Sequence, residues 1–229
     1  MWNRISNCAW VMMLGAVLLF SSCKKEYESY HFGVSYGNIV GNAESYNILT
    51  DEGLTLYVVE NNVSEAEVED GQRVMANYTV LERVEQGYNV QLNFLYNILT
   101  KDPVFLSEMT SEEQNEIGND PLNVLSMSFG GKYLNVNMQL MRKDPELAHF
   151  VNLVVDEQRS DDQTVYLTLR HNAYGDATSI PVSQRVSFDL SKLVPEGQQH
   201  INVYVEWTNY QGEHREDSGV FTLPSGTIH

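Results

Sequence analysis

Cysteine is nearly absent from this sequence, which contains only Cys8 and Cys23 among its 229 residues. Cys8 lies in an apolar run from 8 to 20 that has the layout of a cleaved secretion signal. Removal of that segment would leave one cysteine, so no internal disulfide could form. Long apolar runs are also lacking, because this one falls short of the roughly 20 residues that cross a bilayer as a helix. An exported chain of this kind must be held together by its hydrophobic core alone.

Positive charge is scarce as well. Fourteen Lys and Arg stand against 31 Asp and Glu, which gives a formal net charge of −17. A protein that binds nucleic acid needs a cationic face that displaces counterions from the phosphates. The sequence therefore excludes nucleic acid as a favoured partner and predicts an acidic surface suited to the outside of a cell.

The N-terminus carries its own signal. Arg4 precedes the apolar run, and the small residues Ser21 and Ser22 come directly before Cys23. The ending Leu-Phe-Ser-Ser-Cys resembles the lipobox of bacterial lipoproteins, in which lipid is attached to the cysteine thiol before cleavage. We therefore predict a signal peptide at 1–22, lipidation of Cys23 and a tether at 23–31. Its lipid would anchor the chain in the outer membrane, and the sequence leaves the surface and periplasmic sides both open.

Helical patterns are also rare, and most of the chain alternates apolar and polar residues with the period of two that is typical of β-strands. In one such run, Val90, Leu92 and Phe94 alternate with Gln91 and Asn93. Other apolar sets of the same kind are Leu134, Val136, Met138 and Leu140; Val165, Leu167 and Leu169; and Ile201, Val203, Val205 and Trp207. These sets are expected to face a core, which predicts an all-β protein.

The strands fall into two groups on either side of a polar segment. Five strands at 32–105 suit a small barrel of the OB type. About seven strands at 122–224 suit an Ig-like β-sandwich. Between them, a linker at 106–121 contains a short helix that begins near Thr110. Residues 225–229 are expected to form a tail.

Particular motifs in both halves resemble NigD-like lipoproteins, and the resemblance extends over nearly all of the mature chain. It implies an N-terminal OB domain and a C-terminal β-sandwich, and it supplies no catalytic residues to carry over. The motifs are Gly71–Leu81, Tyr88–Asn93 and Asn97–Lys101 in the first half, and Lys132–Val136, Leu167–Asp176 and Val186–Leu190 in the second.

The sequence gives little support for catalysis or for a bound metal. Gly33–Gly37 has the Gly-x-Ser-x-Gly spelling of a hydrolase nucleophile elbow, but that motif needs a strand, a turn and then a helix, and here a strand pattern continues. The six histidines lack the spacing of a zinc site, and His171 is expected to end a strand or to pack under the following turn. We therefore expect no catalytic residues, no metal and no cofactor.

Three tyrosines remain as candidate ligand-binding residues. Tyr133, Tyr166 and Tyr204 fall on the polar sides of their strands, whereas Trp207 falls on an apolar side and is expected to pack in the core. The most consistent function is a non-enzymatic lipoprotein that binds an envelope protein, which predicts a flat, partly apolar patch. The alternative is a surface module that captures a polysaccharide or another extracellular ligand, which predicts a cleft with aromatic faces.

Overall fold

β-Strands make up most of the structure, as the alternating sequence predicts. The computed structural model describes residues 31–63 and 68–224. Within these residues, fourteen strands form one closed barrel and one two-layered sandwich. The predicted signal peptide 1–22, the lipidation site Cys23 and the tail 225–229 lie outside the described residues.

The first five strands close the barrel in the order β1-β2-β3-β5-β4, with β1 paired to both β2 and β4. β3 and β5 run parallel, and the other neighbours run antiparallel. The predicted five-stranded barrel is therefore confirmed. The strands are β1 (His31–Asn42), β2 (Ser45–Thr50), β3 (Thr55–Asn61), β4 (Arg73–Val84) and β5 (Gly87–Asn97).

Apolar side chains from all five strands fill the barrel interior. They form a core cluster of their own, as expected for a unit that folds around its own strands. Its least exposed members are Ile39, Ile48, Leu56, Val74, Ala76, Val90 and Leu92.

One predicted core residue of β5 lies on the wrong side of the strand. Phe94 was expected to face inward with Val90 and Leu92, but its side chain is 53% exposed. The cause is a β-bulge: Tyr78 of β4 pairs with Leu92, and the preceding Asn77 pairs with Phe94, which leaves Asn93 as an extra residue. An extra residue reverses the alternation beyond it, so Phe94 points outward.

The second unit is a sandwich of a five-stranded sheet, β14-β13-β11-β10-β7, and a four-stranded sheet, β6-β12-β9-β8. All seven strands predicted after residue 122 are present, and the predicted inward sets of β9, β11 and β13 are buried, with Trp207 partly buried against the same core. The strands are β8 (Asn123–Gly130), β9 (Tyr133–Arg142), β10 (Phe150–Val155), β11 (Thr164–Asn172), β12 (Ile180–Asp189), β13 (His200–Thr208) and β14 (His214–Thr222).

The barrel ends earlier than the predicted boundary at residue 105. β6 (Leu99–Lys101) pairs in parallel with β12, and β7 (Val104–Phe105) pairs in parallel with β10. Both strands therefore belong to the sandwich, one in each sheet. Strands of two or three residues are too short to show a period of two, which is why the sequence did not reveal them.

The linker contains the expected short helix, α1 (Ser111–Glu116), after a 3₁₀ turn at Leu106–Glu108. Thr110 caps α1: its side-chain oxygen accepts a hydrogen bond from the Glu113 amide, and the Glu113 carboxylate accepts one from the Thr110 amide. Within the described part of the chain, no helix has the length and apolar character needed to span a bilayer.

Candidate functional site

The barrel and the sandwich meet around the side chain of Arg73, the first residue of β4. Arg73 is 2% exposed, and its two amino groups donate to the two carboxylate oxygens of Asp51 at 2.5 and 2.6 Å. Arg73 also reaches the sandwich, since Nη2 donates to Oδ1 of Asn135 at 2.8 Å and Nε donates to Oγ of Ser187 at 3.2 Å. One buried guanidinium thus joins the two units through charge-assisted hydrogen bonds.

Tyr133 belongs to this interface and not to an exposed patch. It was predicted to face solvent, but it is 6% exposed, and its ring centroid lies 4.1 Å from Cζ of Arg73. Its hydroxyl accepts a hydrogen bond from Nδ2 of Asn38 in β1. The prediction failed because the barrel covers the outer side of the four-stranded sheet, where Tyr133 makes a cation–π contact with Arg73.

One side of the barrel carries exposed apolar residues, and we call this side the apolar barrel face. It consists of three rows of paired residues on β1, β4 and β5. Phe32, Val34 and Phe94 are its most exposed side chains, at 74%, 60% and 53%. Each row runs from β1 through β4 to β5. The first row is Phe32, Thr79 and Gln91; the second is Val34, Asn77 and Phe94; the third is Tyr36, Met75 and Tyr96.

No acidic residue occurs at these nine positions, although the whole chain contains 31 Asp and Glu. The polar groups between the apolar ones bond to one another: Nδ2 of Asn93 donates to Oδ1 of Asn77 at 3.2 Å and to Oγ1 of Thr79 at 3.0 Å. A face with paired amides and no charge is inexpensive to desolvate. It has the properties of the centre of a protein-binding surface.

The Gly-x-Ser-x-Gly motif lies within β1 and has a packing explanation. Oγ of Ser35 is 3.2 Å from the hydroxyl of Tyr78. A Cβ on Gly33 would lie 2.4 Å from the Tyr78 ring, and a Cβ on Gly37 would lie 2.6 Å from the Leu49 carbonyl oxygen. The glycines therefore make room for neighbouring strands, and the segment is extended, as the sequence predicts.

Two histidines form a buried hydrogen-bonded chain in the sandwich. Nε2 of His149 lies 3.2 Å from Asp176, Nδ1 of His149 lies 3.0 Å from Nε2 of His171, and Nδ1 of His171 lies 3.0 Å from the Pro121 carbonyl. His171 is 1% exposed near the end of β11, as expected, and burial lowers its pKa. The backbone amide of Lys143 holds the pKa of Asp176 below its usual range.

A metal does not account for this chain. The four ring nitrogens already have partners in this chain: Nδ1 of His149 and Nε2 of His171 face each other, and the outer two face the Asp176 carboxylate and the Pro121 carbonyl. Residues 31–63 and 68–224 contain no group of three or more His, Cys, Asp or Glu side chains able to hold a metal ion.

The other two predicted tyrosines lie side by side on the outer side of the five-stranded sheet. Tyr166 of β11 pairs with Tyr204 of β13, and their rings stack with centroids 5.0 Å apart and planes 18° apart. The guanidinium carbon of Arg159 lies 4.2 Å from the centroid of the Tyr166 ring, whereas Tyr204 is 40% exposed. The structure thus brings together two of the three predicted residues.

Family comparisons match both units of the chain. The model of the NigD-like N-terminal OB domain matches residues 36–98, and the model of the NigD-like C-terminal beta sandwich domain matches residues 104–218. The chain belongs to the NigD-like family. The gap between the two matches, 99–103, contains β6, so the family boundary lies close to the point at which the barrel ends.

Solved structures share this NigD-like fold. A candidate toxin-related protein from Parabacteroides distasonis is 24% identical with a TM-score of 0.70, and the match covers 84% of this chain and 94% of that one. A NigD-like immunity protein from Bacteroides caccae is 20% identical with a TM-score of 0.67, and the match covers 86% of this chain and 98% of that one. A candidate lipoprotein from Bacteroides fragilis is 12% identical with a TM-score of 0.56, and the match covers 86% of this chain and all of that one. No curated protein matches the chain.

Two features of this NigD-like chain escaped prediction from the sequence. The apolar barrel face was missed because the bulge at Asn93 hides the outward position of Phe94. The Arg73 network was missed because its partners lie far along the chain; Asn135, for example, follows Arg73 at a sequence separation of 62. A basic residue directly before an apolar run, Arg73 ahead of Val74-Met75-Ala76, was the only local signal of it.

Proposed function

We propose that this protein is a non-enzymatic lipoprotein of the bacterial cell envelope that binds a protein partner through the apolar barrel face. The observation that carries the proposal is the charge distribution: a chain of net charge −17 keeps nine neighbouring positions on this side of the barrel free of acid and exposes Phe32, Val34 and Phe94 there. Small ligands usually bind in concave pockets, whereas a flat apolar face with a polar surround suits another protein.

The predicted lipid anchor supports an envelope location. The lipobox-like segment Leu19–Cys23 precedes the fold, and the structurally similar protein from Bacteroides fragilis is a candidate lipoprotein. The similar protein from Bacteroides caccae is named an immunity protein, and that name is compatible with a binding role.

The anchor would also place the apolar barrel face close to the membrane. Seven residues, 24–30, separate Cys23 from the start of β1. Even a fully extended segment of that length spans at most about 25 Å. Phe32 and Val34 lie at the beginning of β1, so the proposed partner is a protein at the membrane surface.

The absence of enzymatic activity is supported by the surroundings of the reactive residues. Ser35 bonds to Tyr78, and the rings of His149 and His171 are buried and bonded to each other. A serine nucleophile needs an adjacent base at an accessible site, and neither histidine bonds to Ser35.

A photo-crosslinking experiment in native cells tests the proposal. A photoreactive amino acid at Phe94 should give a discrete protein adduct, whereas the same amino acid at Val220 on the sandwich should not. The purified partner should then lose at least tenfold in affinity for Val34→Glu and keep its affinity for Val220→Glu. The controls are well matched, because Val34 and Val220 are strand valines with 60% and 58% exposure. Equal adducts at both positions, or equal affinities of both glutamate variants, would show that this face is not the binding surface.

A further inference from the structure

A polar cleft of about 510 Å³ opens on the outer side of the five-stranded sheet, on the opposite layer of the sandwich from the barrel. β10 and β11 form its floor through Val154, Thr168 and Arg170. The linker forms a wall through Ser107 and Gln114, and the loop after β10 forms another. This volume is in the range of sites for small ligands.

The walls of the cleft are fixed by hydrogen bonds. The Glu157 carboxylate accepts from Oγ of Ser107 at 2.6 Å and from its amide at 3.2 Å, which joins the loop to the linker. Nε2 of Gln114 donates to the carbonyls of Leu106 and Met109, at 2.8 and 3.2 Å. A cleft held in this way is preorganised, so a ligand would not have to order it.

Arg170 supplies donors that the described residues leave unused. Its Nε donates to the Gly118 carbonyl at 2.8 Å, and neither of its amino groups makes a hydrogen bond or an ion pair within residues 31–63 and 68–224. Arg170 is half-buried in a chain with more than twice as many acidic as basic residues. A guanidinium with two unused amino groups in a cleft is a ready donor for ligand oxygens.

The Tyr166–Tyr204 stack continues the cleft across the sheet. Thr168 lines the cleft, and its hydroxyl donates to Glu206 of β13, next to Tyr204. On the other side, Tyr204 pairs with Ser218 of β14, which has a small side chain, and Tyr204 is 40% exposed. From β14 to β10 there are three strand spacings, so the surface extends about 14 Å, enough for a short oligosaccharide.

We propose that the cleft and the Tyr166–Tyr204 stack together form a binding site for a neutral polysaccharide, separate from the apolar barrel face. Sugar hydroxyls both donate and accept, which matches the mixture of Arg170 with the carboxylates of Glu157 and Glu206. The apolar faces of sugar rings match an open tyrosine ring. The same carboxylates, in a strongly acidic chain, would repel a polyanion such as polygalacturonate.

Affinity electrophoresis of the full-length mature chain tests this proposal. The gels would contain soluble glucan, mannan, galactan or xylan, with polygalacturonate as the charged counterpart. At least one neutral polysaccharide should retard the protein, and Tyr204→Asn and Gln114→Ala should each weaken that retardation at least tenfold. Tyr204→Trp should retain it, because a larger ring still stacks.

Tyr174→Asn is the matched control, since Tyr174 is 42% exposed and Tyr204 is 40% exposed. Tyr174 has φ of 51°, a conformation that asparagine tolerates. This control and Val34→Glu should bind as the parent does, and Val34→Glu distinguishes failure of this site from failure of the protein-binding face. No retardation by any of the four neutral polysaccharides, retardation by polygalacturonate alone, or parental binding by Tyr204→Asn would overturn the proposal.

Discussion

Arg73 is a positive charge that folding removes from water, and its neighbours explain how this is tolerated. Moving an ion into the interior costs several kcal/mol, which is offset only when its partners are well placed. Asp51 binds the guanidinium at two points and Tyr133 covers one of its faces. Gly130 lets Asp51 approach, because a Cβ there would lie 2.2 Å from Oδ2 of that carboxylate. We expect such a network to contribute more to how the barrel docks than to net stability.

Replacement of Arg73 by methionine should destabilise the protein by about 3–5 kcal/mol, because it leaves the buried carboxylate of Asp51 without its partner. Urea unfolding of both proteins measures this difference. Arg83→Met is the control, as Arg83 is an exposed residue of the same strand, and it should change the free energy of unfolding by no more than about 0.5 kcal/mol. Equal urea midpoints for the two variants would contradict the structural role of Arg73.

Acidification should destabilise the sandwich through His171. Burial lowers the pKa of His171 in the folded protein, so below about pH 6.5 the unfolded chain binds a proton that the native chain does not. Stability should therefore fall as the pH drops below that value. The lowered pKa of Asp176 acts in the same direction at lower pH, with its contribution lost as the carboxylate becomes protonated.

Thermal melts between pH 7.5 and 5.5 measure the effect of His171. The melting temperature of the parent should fall over this range. The melting temperature of His171→Gln should fall less, since glutamine does not titrate. Imidazole NMR signals provide a second readout, because the His171 signal should titrate at a lower pH than that of an ordinary imidazole. A signal that titrates with an ordinary pKa would contradict this expectation.

At the scale of elements, the strands that were easiest to predict are those whose alternation is unbroken. β13 is an example, since Ile201, Val203 and Val205 are each no more than 2% exposed. β5 was predicted only up to its bulge, because an inserted residue cannot be recognised without knowing the partner strand. β6 and β7 were missed because strands of two or three residues are too short to show an alternation of apolar and polar side chains.

Val205→Asp should unfold the sandwich, because it buries a carboxylate without a partner, at a cost of several kcal/mol. That cost is comparable to the roughly 5–15 kcal/mol that stabilises a typical domain. Thr208→Lys, on the outer side of the same strand, should leave the fold intact. Near-ultraviolet circular dichroism and thermal melts distinguish the two, and similar melting curves would show that the facing of β13 is misassigned.

At the scale of the whole molecule, two units could be predicted because each part of the chain has its own set of alternating strands. The way in which the two units dock could not be predicted, because alternation marks the polar side of a strand but does not show whether another unit covers that side. This explains the different outcomes for the three tyrosines. Tyr166 and Tyr204 lie on an open side of the sandwich, whereas Tyr133 lies on the side that meets the barrel.

The proposed anchoring of the molecule depends on Cys23. Cys23→Ala should abolish incorporation of an alkynyl fatty acid in growing cells and leave the circular dichroism spectrum of the folded protein unchanged, because the cysteine lies ahead of β1. Cys8→Ala is the control, since Cys8 lies within the predicted signal peptide and the variant should be labelled as the parent is. Equal labelling of Cys23→Ala would refute lipidation at this residue.

The position of β1 has a mechanical consequence. β1 pairs with β4 at eight successive positions, from His31 opposite Val80 to Asn38 opposite Arg73. The tether would pull at the His31 end, and the sandwich is held at the Asn38 end through Tyr133. A load between membrane and sandwich would therefore run along the strand. Antiparallel hydrogen bonds lie perpendicular to their strands, so such a load shears all of them at once instead of peeling them apart one by one. The barrel is thus built to resist force in the direction in which a membrane tether would apply it.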